Sequence, residues 1–265
     1  MGYVVIFTLK QVGISSKSLS FYNENIFFHN FLNLLYVKSA EKRVAGIFRG
    51  VSYNFLNGKL MRRQHLKYTL HGTEPLYKGF FGMDRYTVSY EGFDGTIIGP
   101  MSREIFERGD AAALVPYDPV RDEVILIEQF RPGAIRKDQN PWLLEVVAGI
   151  VDEKDRHNTL NTVLREVREE AGVECSKAVF ATRFFTTPGG STESIDLYIG
   201  MVDASKACGI HGLATEHENI RVFSVPFSEA YEMLENGDFC NAIAIIGIQY
   251  LALHRENIRK NFLSE

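Results

Sequence analysis

Three glutamates lie close together on one short stretch of the chain. Glu166, Glu169 and Glu170 are spaced three and four residues apart, so a helix would bring them to one side. Carboxylates this close repel one another unless a positive group or ion lies between them. Mg²⁺ prefers oxygen ligands and usually binds through a few carboxylates while it keeps waters and phosphate oxygens. The spacing therefore indicates metal-assisted chemistry on a phosphate compound. Taken alone, the same letters also fit a solvent-exposed helix face with ion pairs along it.

A helix over residues 159–171 would hold these carboxylates in place. Its apolar side recurs at helical spacing and consists of Leu160, Val163, Leu164 and Val167. Gly172 follows where a helix commonly ends in the left-handed conformation, and Asn158 or Thr159 suits the N-cap. The pattern predicts an amphipathic helix with an acidic side.

The residues around the three glutamates follow a specific pattern. The segment from Arg165 to Val173 reads REVREEAGV and fits REUXEEXGU, in which U is a bulky aliphatic residue. This is the Nudix box, and the chain resembles the Nudix hydrolases. The box positions are Gly149, Arg165, Glu166, Glu169, Glu170 and Gly172. The interval from Gly149 to Arg165 is two residues longer than in the family pattern, so the early acidic position falls on Asp155 or on His157, depending on the end from which it is counted.

Composition and charge argue against several classes of protein. The chain has 265 residues, of which 45% are hydrophobic, enough for one large domain or one domain with an appendage. A formal net charge of −4 gives no support to a general nucleic-acid-binding surface. Cys175, Cys208 and Cys240 lack CxxC spacing and are expected to be reduced thiols of a cytoplasmic protein. No apolar run is long enough to cross a membrane. From the charge and from this absence, we expect neither nucleic acid nor a membrane as a partner.

Residues 1–65 differ from the rest of the chain. They are rich in Phe, Tyr, Asn and Lys, and their acidic residues are only Glu24 and Glu41. We expect a poorly ordered or spurious extension, with Met61 as an alternative start, and a basic targeting or membrane-surface segment is the other interpretation. Residues 66–108 are expected to form an N-terminal β-segment, and residues 109–265 the Nudix hydrolase domain.

The main part of the chain mixes strands and helices. Aromatic and β-branched residues predict strands at 77–90, 96–105, 111–117, 123–131, 143–147, 179–186, 195–202 and 221–225. Helices are also predicted at 227–236 and 241–254. This order predicts an α/β protein with a mixed β-sheet that is covered on both faces.

From about Leu76 to the C-terminus, the chain is similar to one Nudix subfamily, the bacterial ADP-ribose pyrophosphatases. The stretches that carry the resemblance include YKGFF, SREIFERGDAAALVPYDPVRDEVILIEQFRPGA, PWLLEVVAGIVDE, TPGGSTE and GIHGLATEHENIRV. The resemblance implies a Nudix α/β/α sandwich and a homodimer in which the N-terminal antiparallel β-segment reaches the partner. It also implies Mg²⁺-dependent hydrolysis of the nucleotide sugar ADP-ribose to AMP and ribose 5-phosphate, with Mn²⁺ as an alternative ion.

The resemblance also assigns metal ligands. Glu166 and Glu170 are expected to bind Mg²⁺, and the carbonyl of Ala148 is implied as a third oxygen ligand. Glu169 is expected to bind the metal through a water or to support the residues that bind the metal directly. Arg165 is expected to hold a box carboxylate and not to contact the substrate.

The general base is expected outside the box, because a carboxylate neutralised by metal ions is a poor proton acceptor. The loop at residues 212–218 offers two carboxylates, and in the resembled family an acidic loop closes over the site here. Glu216 is the preferred base, and Glu218 is a metal ligand or the alternative base. His217 is given little weight.

Several residues are candidates for substrate binding. Arg131 ends a strand and is the candidate for the diphosphate or a ribose, since Arg supplies paired, always-charged donors. By the resemblance, Arg103 and Glu104 read the adenine from the neighbouring subunit, and Glu193 approaches the terminal ribose or the metals. The candidates for stacking on the base are Phe80 and Phe81.

Three other functions stay open at this point. A related hydrolase for GDP-mannose or flavin adenine dinucleotide would differ only in its pockets for base and sugar. A non-catalytic ADP-ribose sensor predicts a broken box or a fused DNA-binding module, whereas Glu166, Glu169 and Glu170 are all present. A purely structural interaction domain leaves the acidic helix unexplained.

Overall fold

The N-terminal part of the chain belongs to a unit of its own. The computed structural model describes residues 53–56, 59–62, 65–135 and 140–264, and the chain divides between Leu66 and Lys67. In the first unit, strands β1 (Tyr53–Leu56) and β2 (Lys59–Arg62) form an antiparallel pair. The expectation of a poorly ordered or spurious extension otherwise falls on residues outside the described ranges, so it stays a prediction.

A three-stranded antiparallel sheet begins the second unit. Its strands, in order, are β3 (Tyr68–Lys78), β4 (Gly82–Glu91) and β5 (Ile97–Glu107). The prediction of one strand over residues 77–90 was wrong, because a turn at Gly79 divides it. The Gly79 N–H donates to the Phe81 carbonyl (2.9 Å), and the Tyr77 ring fills the space that a β-carbon at Gly79 would need.

An eight-stranded mixed sheet forms the centre of the second unit. Its strands are β6 (Ala111–Asp118), β7 (Glu123–Phe130), β8 (Trp142–Glu145), β9 (Val147–Ile150), β10 (Lys177–Phe185), β11 (Ser194–Met201), β12 (Cys208–His211) and β13 (Ile220–Pro226). β6 pairs in parallel with β11, whereas the other pairs of this sheet are antiparallel. Every residue of β6 is buried, which accounts for its run of apolar residues without alternation. Strand β12 was not predicted, because its short sequence CGIH has no sustained period.

Helices cover both faces of this sheet. Their bounds are α1 (Thr159–Ala171), α2 (Phe227–Asn236) and α3 (Ala242–Leu263). The side chains of β6 alternate between two cores: Ala112 and Leu114 pack with residues of α1, whereas Ala113 and Val115 pack with residues of α2 and α3. The predicted α/β/α sandwich is therefore confirmed.

Helix α1 has the bounds that the sequence predicts. Val163 and Val167 are fully buried against the sheet, and the burial of each stabilises the fold by roughly 1.5–3 kcal/mol. Gly172 ends the helix in the left-handed conformation with a φ of 66°, as expected. Asn158 occupies the N-cap position, but its side chain donates to Asn161 (3.2 Å) and does not cap the helix. With the apolar side fixed on the sheet, Glu166 and Glu170 lie beside strand β9, and both are largely buried.

Helix α3 is longer than predicted. The pattern predicts an end at residue 254, but the helix continues to Leu263 because Ile258 and Phe262 extend its buried side. Within the described ranges, no helix is long and apolar enough to cross a membrane.

Candidate active site

A large open cleft is lined by the acidic side of helix α1. Its acidic lining residues are Glu128, Glu145, Asp152, Glu166, Glu169, Glu170, Glu193, Glu216, Glu218 and Asp238. Its basic lining residues are Arg108, Arg131, Lys154 and Arg165. Because acidic groups outnumber basic ones among the described lining residues, this part of the cleft favours a cation.

Glu170 is a carboxyl group buried at the wall of the cleft. Only 3% of the residue is exposed, and the Ala148 N–H donates to its Oε2 (3.2 Å). Burial raises the pKa of Glu170 well above its usual range and the neighbouring Glu166 raises it further, whereas the Ala148 N–H and the charge of Arg131 oppose the shift. A cation beside this carboxylate would offset the cost of burying its charge.

Glu166 lies one helical turn before Glu170. Burial raises the pKa of Glu166 to about 7, against the lowering effect of Arg165, and the negative charge of Glu169 adds to the increase. Arg165 Nη2 lies 2.9 Å from Glu166 Oε1. Desolvation and repulsion between like charges therefore outweigh this ion pair.

Arg165 connects two carboxylates of the box. Its Nη2 contacts Glu166, and its Nη1 donates to Glu169 Oε2 (2.7 Å). Its Nε is buried and has no hydrogen-bond acceptor among the described residues. This geometry fits the expected role of holding carboxylates.

Gly149 leaves room for the Glu166 carboxylate. A β-carbon at this position would overlap with the carboxyl group. Gly149 and Ala148 belong to β9, which pairs with the buried strand β6. The sheet thus fixes the backbone of β9 directly against the acidic side of α1.

These groups fit a hard divalent cation. Glu166 and Glu170 offer carboxylate oxygens one turn apart, and the pKa of each is raised by burial and by the charges of neighbouring carboxylates. The part of the chain that the structure describes holds no cluster of three or more acidic, His or Cys side chains arranged as a metal cage. Two carboxylates leave the other coordination positions of a divalent ion to waters and phosphate oxygens.

The early acidic position of the box lies outside the cleft. Asp155 is buried in a short 3₁₀ turn (Glu153–Asp155) and accepts a hydrogen bond from Asn161 Nδ2 (3.3 Å). Neither Asp155 nor His157 lines the cleft, whereas Asp152 does. The longer loop is accommodated in this turn, before α1 begins.

The loop that carries Glu216 and Glu218 is fastened to the end of α1. The Gly212 N–H donates to the carbonyl of Glu169 (3.0 Å), in the last turn of the helix. Glu218 Oε2 accepts a hydrogen bond from the Leu213 N–H (3.0 Å), which joins the two ends of this loop. Glu216 is exposed and lines the same cleft, and among the described residues its side chain has no hydrogen-bond partner.

Arg131 is held beside the acidic residues by a carboxylate that the sequence analysis missed. Its Nε and Nη2 donate to Glu145 Oε2 (3.1 and 2.8 Å), and Gln129 Nε2 donates to the same oxygen (3.1 Å). The only signal in the sequence was a charged residue inside the apolar segment WLLEVV.

Glu193 and Phe81 line the cleft together with a second residue that was not predicted. Glu193 accepts a hydrogen bond from Thr186 Oγ1 (2.8 Å) and forms an ion pair with Arg108. Arg108 also lies over the Phe81 ring, 5.4 Å from its centroid. Phe80 lines the cleft as well, but it is almost fully exposed.

Arg103 and Glu104 do not line the cleft of their own chain. Both are exposed on β5, where they lie opposite Tyr86 and Arg85 of β4. The fold therefore does not bring them together with the other expected residues within one chain. Their assignment to the site of a partner subunit stays a prediction.

Known proteins with similar sequences point to the same chemistry. Residues 107–240 match the NUDIX domain family. The ADP-ribose pyrophosphatase of Escherichia coli (strain K12) is 43% identical over 189 residues, which are 71% of this chain and 90% of that protein. The GDP-mannose pyrophosphatase of Cronobacter sakazakii is 30% identical over 179 residues, 67% of this chain and 91% of that protein.

A solved structure, that of an ADP compounds hydrolase, resembles the chain in fold. The TM-score is 0.54 at 20% sequence identity, and the alignment covers 75% of this chain and 98% of the other. The family match and the extent of the sequence similarity establish that the chain belongs to the Nudix hydrolase family.

Proposed function

We propose that this chain hydrolyses the diphosphate bond of ADP-ribose to AMP and ribose 5-phosphate, with Mg²⁺ as the metal and Mn²⁺ as an alternative. The observation that carries the proposal is the pair Glu166 and Glu170, two buried carboxyl groups one helical turn apart whose pKa values are raised by burial and by each other's neighbouring negative charge. Nudix hydrolases generally use divalent metal ions. The relative at 43% identity is an ADP-ribose pyrophosphatase, and its similarity spans most of both chains.

Glu166, Glu170 and the carbonyl of Ala148 would hold the metal. Glu218 can join them through Oε1, because its Oε2 accepts the hydrogen bond from the Leu213 N–H (3.0 Å). When bound, the ion supplies positive charge that neutralises the diphosphate oxygens as water attacks.

Glu216 is the proposed general base. A water oxygen attacks one phosphorus, the bond from that phosphorus to the bridging oxygen breaks, and the water proton passes to the Glu216 carboxylate. Glu216 suits this role better than Glu218, because Glu218 already accepts a hydrogen bond from the backbone, whereas the exposed Glu216 carboxylate is available to accept a proton. Arg131 orients the diphosphate through paired N–H donors.

The test is product release from ADP-ribose, GDP-mannose and flavin adenine dinucleotide, each with Mg²⁺ and with a chelator. We expect Mg²⁺-dependent release of AMP and the highest kcat/KM for ADP-ribose. Glu166→Gln should abolish turnover, whereas Glu174→Gln, which changes an exposed glutamate outside the cleft, should not. Faster hydrolysis of another substrate would favour the second candidate, a GDP-mannose or flavin-dinucleotide hydrolase; the relative at 30% identity supports the GDP-mannose form. Binding of ADP-ribose without turnover would indicate a sensor.

We also propose that the chain forms a homodimer through the sheet β3–β5. Phe93 and Ile97 are 90% and 71% exposed on this sheet and its turn, and apolar residues exposed together commonly mark an interface. Arg103 and Glu104 would then read the adenine in the partner's site. Light scattering should give twice the chain mass, and Ile97→Lys should reduce it. In heterodimers, a mixture of inactive Arg103→Ala and Glu166→Gln variants should regain activity, and no recovery would place the adenine contact within one chain.

A cytoplasmic location and a small-molecule substrate without nucleic-acid or membrane partners complete the proposal. Cys175, Cys208 and Cys240 are free thiols, which suit a reducing compartment. Cell fractionation of the native protein checks the location.

A further inference from the structure

Glu145 is a buried carboxylate to which the proposed reaction gives no task. It ends strand β8, and only 11% of its side chain is exposed. Its chain neighbours Leu144 and Val146 pack in the apolar core. Because a buried charge is costly unless it is paired and hydrogen-bonded, the contacts of Glu145 need an explanation.

Among the described residues, the side chains that donate to Glu145 lie on β7 or directly after it. Arg131 Nε lies 3.2 Å from Oε1 and 3.1 Å from Oε2, and Arg131 Nη2 lies 2.8 Å from Oε2. Gln129 Nε2 approaches Oε2 at 3.1 Å and fixes the carboxylate from a second direction. The carboxylate is thus held in place at the wall of the cleft, and it binds one edge of the guanidinium.

The other edge of the guanidinium is available to a ligand. Arg131 Nη1 has no hydrogen-bond acceptor within the described ranges, and 41% of the Arg131 side chain is exposed where it lines the cleft. Its charge acts on Glu170, so it lies close to the expected metal ligands. A planar fork held at one edge can offer the remaining N–H groups to two phosphate oxygens in a fixed geometry.

We propose that Glu145 is a positioning residue that holds the Arg131 guanidinium in the orientation required to bind the diphosphate. The inference rests on the proposed function, because it assigns Arg131 to the diphosphate of the substrate. Glu145 does not touch the substrate and acts only through Arg131.

A competing role for Glu145 is simple neutralisation of the charge of Arg131, which is half-buried. The two roles predict opposite effects of removing Glu145 on the binding of the diphosphate. If Glu145 only cancels charge, its removal should leave Arg131 more attractive to a dianionic diphosphate. If Glu145 orients Arg131, its removal should weaken binding, because the side chain then loses rotamer freedom when the ligand binds.

A double-mutant cycle on Glu145 and Arg131 tests the proposal. The KM for ADP-ribose and its Kd by calorimetry in a chelator are measured for wild type, Glu145→Gln, Arg131→Ala and the double variant. We expect Glu145→Gln to raise both constants by about tenfold or more, the loss typical of a charged hydrogen bond, with kcat within a few-fold of wild type. The double variant should bind no more weakly than Arg131→Ala, because Glu145 acts only through that residue.

The matched control is Glu174→Gln. Arg168 Nε lies 2.8 Å from both oxygens of Glu174, so this variant also removes a glutamate that pairs with an arginine, but both residues lie outside the cleft. Its KM and Kd should equal those of wild type.

Wild-type or tighter binding by Glu145→Gln, or additive losses in the cycle, would overturn the proposal. Glu145→Asp keeps the charge but withdraws the carboxylate by one methylene, so it should also raise KM if orientation is the function and leave KM unchanged if neutralisation is. If circular dichroism shows that Glu145→Gln is unfolded, Glu145→Asp serves as the test variant in its place. Absence of ADP-ribose hydrolysis by wild type would refute the proposed function, whereas the Kd comparison in chelator still decides the role of Glu145.

Discussion

Glu166→Gln should make the metal-free protein more stable at neutral pH, although it should abolish turnover. Burial raises the pKa of Glu166 from 4.5 to about 7, even though Arg165 lies 2.9 Å away. Between these two values the folded protein binds more protons than the unfolded chain. The stability from this group is therefore fully present below pH 4.5 and is lost as the pH rises through about 7.

The size of the effect follows from the shift. A change from 4.5 to about 7 corresponds to about 3 kcal/mol at pH 7.5 before solvent screening, and to about 1–2 kcal/mol once partial contact with water is allowed for. Glutamine carries no charge to bury, so the variant avoids this cost. Arg165 keeps its bond to Glu169 (2.7 Å) in the variant. For a domain of this size, the gain corresponds to roughly 3–6 °C in Tm.

The assay is thermal unfolding in a chelator at pH 5.5 and pH 7.5. The Tm of Glu166→Gln should exceed that of wild type at pH 7.5, and the difference should shrink at pH 5.5. Adding Mg²⁺ should raise the Tm of wild type more than that of the variant, because a ligand stabilises only the state that binds it. Glu174→Gln serves as the control, since its carboxylate is exposed outside the cleft.

A lower Tm for Glu166→Gln at pH 7.5, or a difference that does not change with pH, would refute the reasoning. In that case the ion pair with Arg165 would dominate over desolvation. Glu166 would then be a structural partner of Arg165, and the main argument for a cation at α1 would fail.

Three other predictions concern the base, the backbone and the fold. Glu216→Gln should lower kcat by roughly 10²–10⁴-fold with KM nearly unchanged in steady-state assays, and near-normal kcat would exclude it as the base. Gly149→Ala should displace the Glu166 carboxylate and weaken Mg²⁺ binding in calorimetry, with unchanged affinity contradicting that placement. Arg183→Ala should cost about 1–2 kcal/mol in urea unfolding at pH 7, because the Arg183 hydrogen bonds hold the pKa of buried Asp196 below its usual value. That stability is present above pH 3.8 and is lost as the pH falls through the lower pKa of Asp196 in the folded protein. The difference in unfolding free energy between the variant and wild type should therefore shrink in acid. A difference that does not change with pH would indicate a loss of packing instead.

Local patterns were sufficient for much of the fold. Helix α1 was predicted with its observed bounds because its apolar period, its C-terminal Gly172 and its buried valines all lie within a short window of sequence. The buried strand β6 was recognisable from its unbroken apolar run. Errors occurred where a local pattern was ambiguous, as at the turn around Gly79, where strand-forming residues continue on both sides.

The sequence by itself determined the family, the acidic helix and the type of chemistry, because the Nudix box is contiguous and its spacing directly expresses the helical period. Only the tertiary structure decided which distant residues complete the cleft. Glu145 meets Arg131 and Glu193 meets Arg108 through strand pairing and chain reversals that leave no periodic trace in the sequence. Burial, which raises the pKa of Glu166 and Glu170, is likewise a property of the folded surroundings and not of the residues alone.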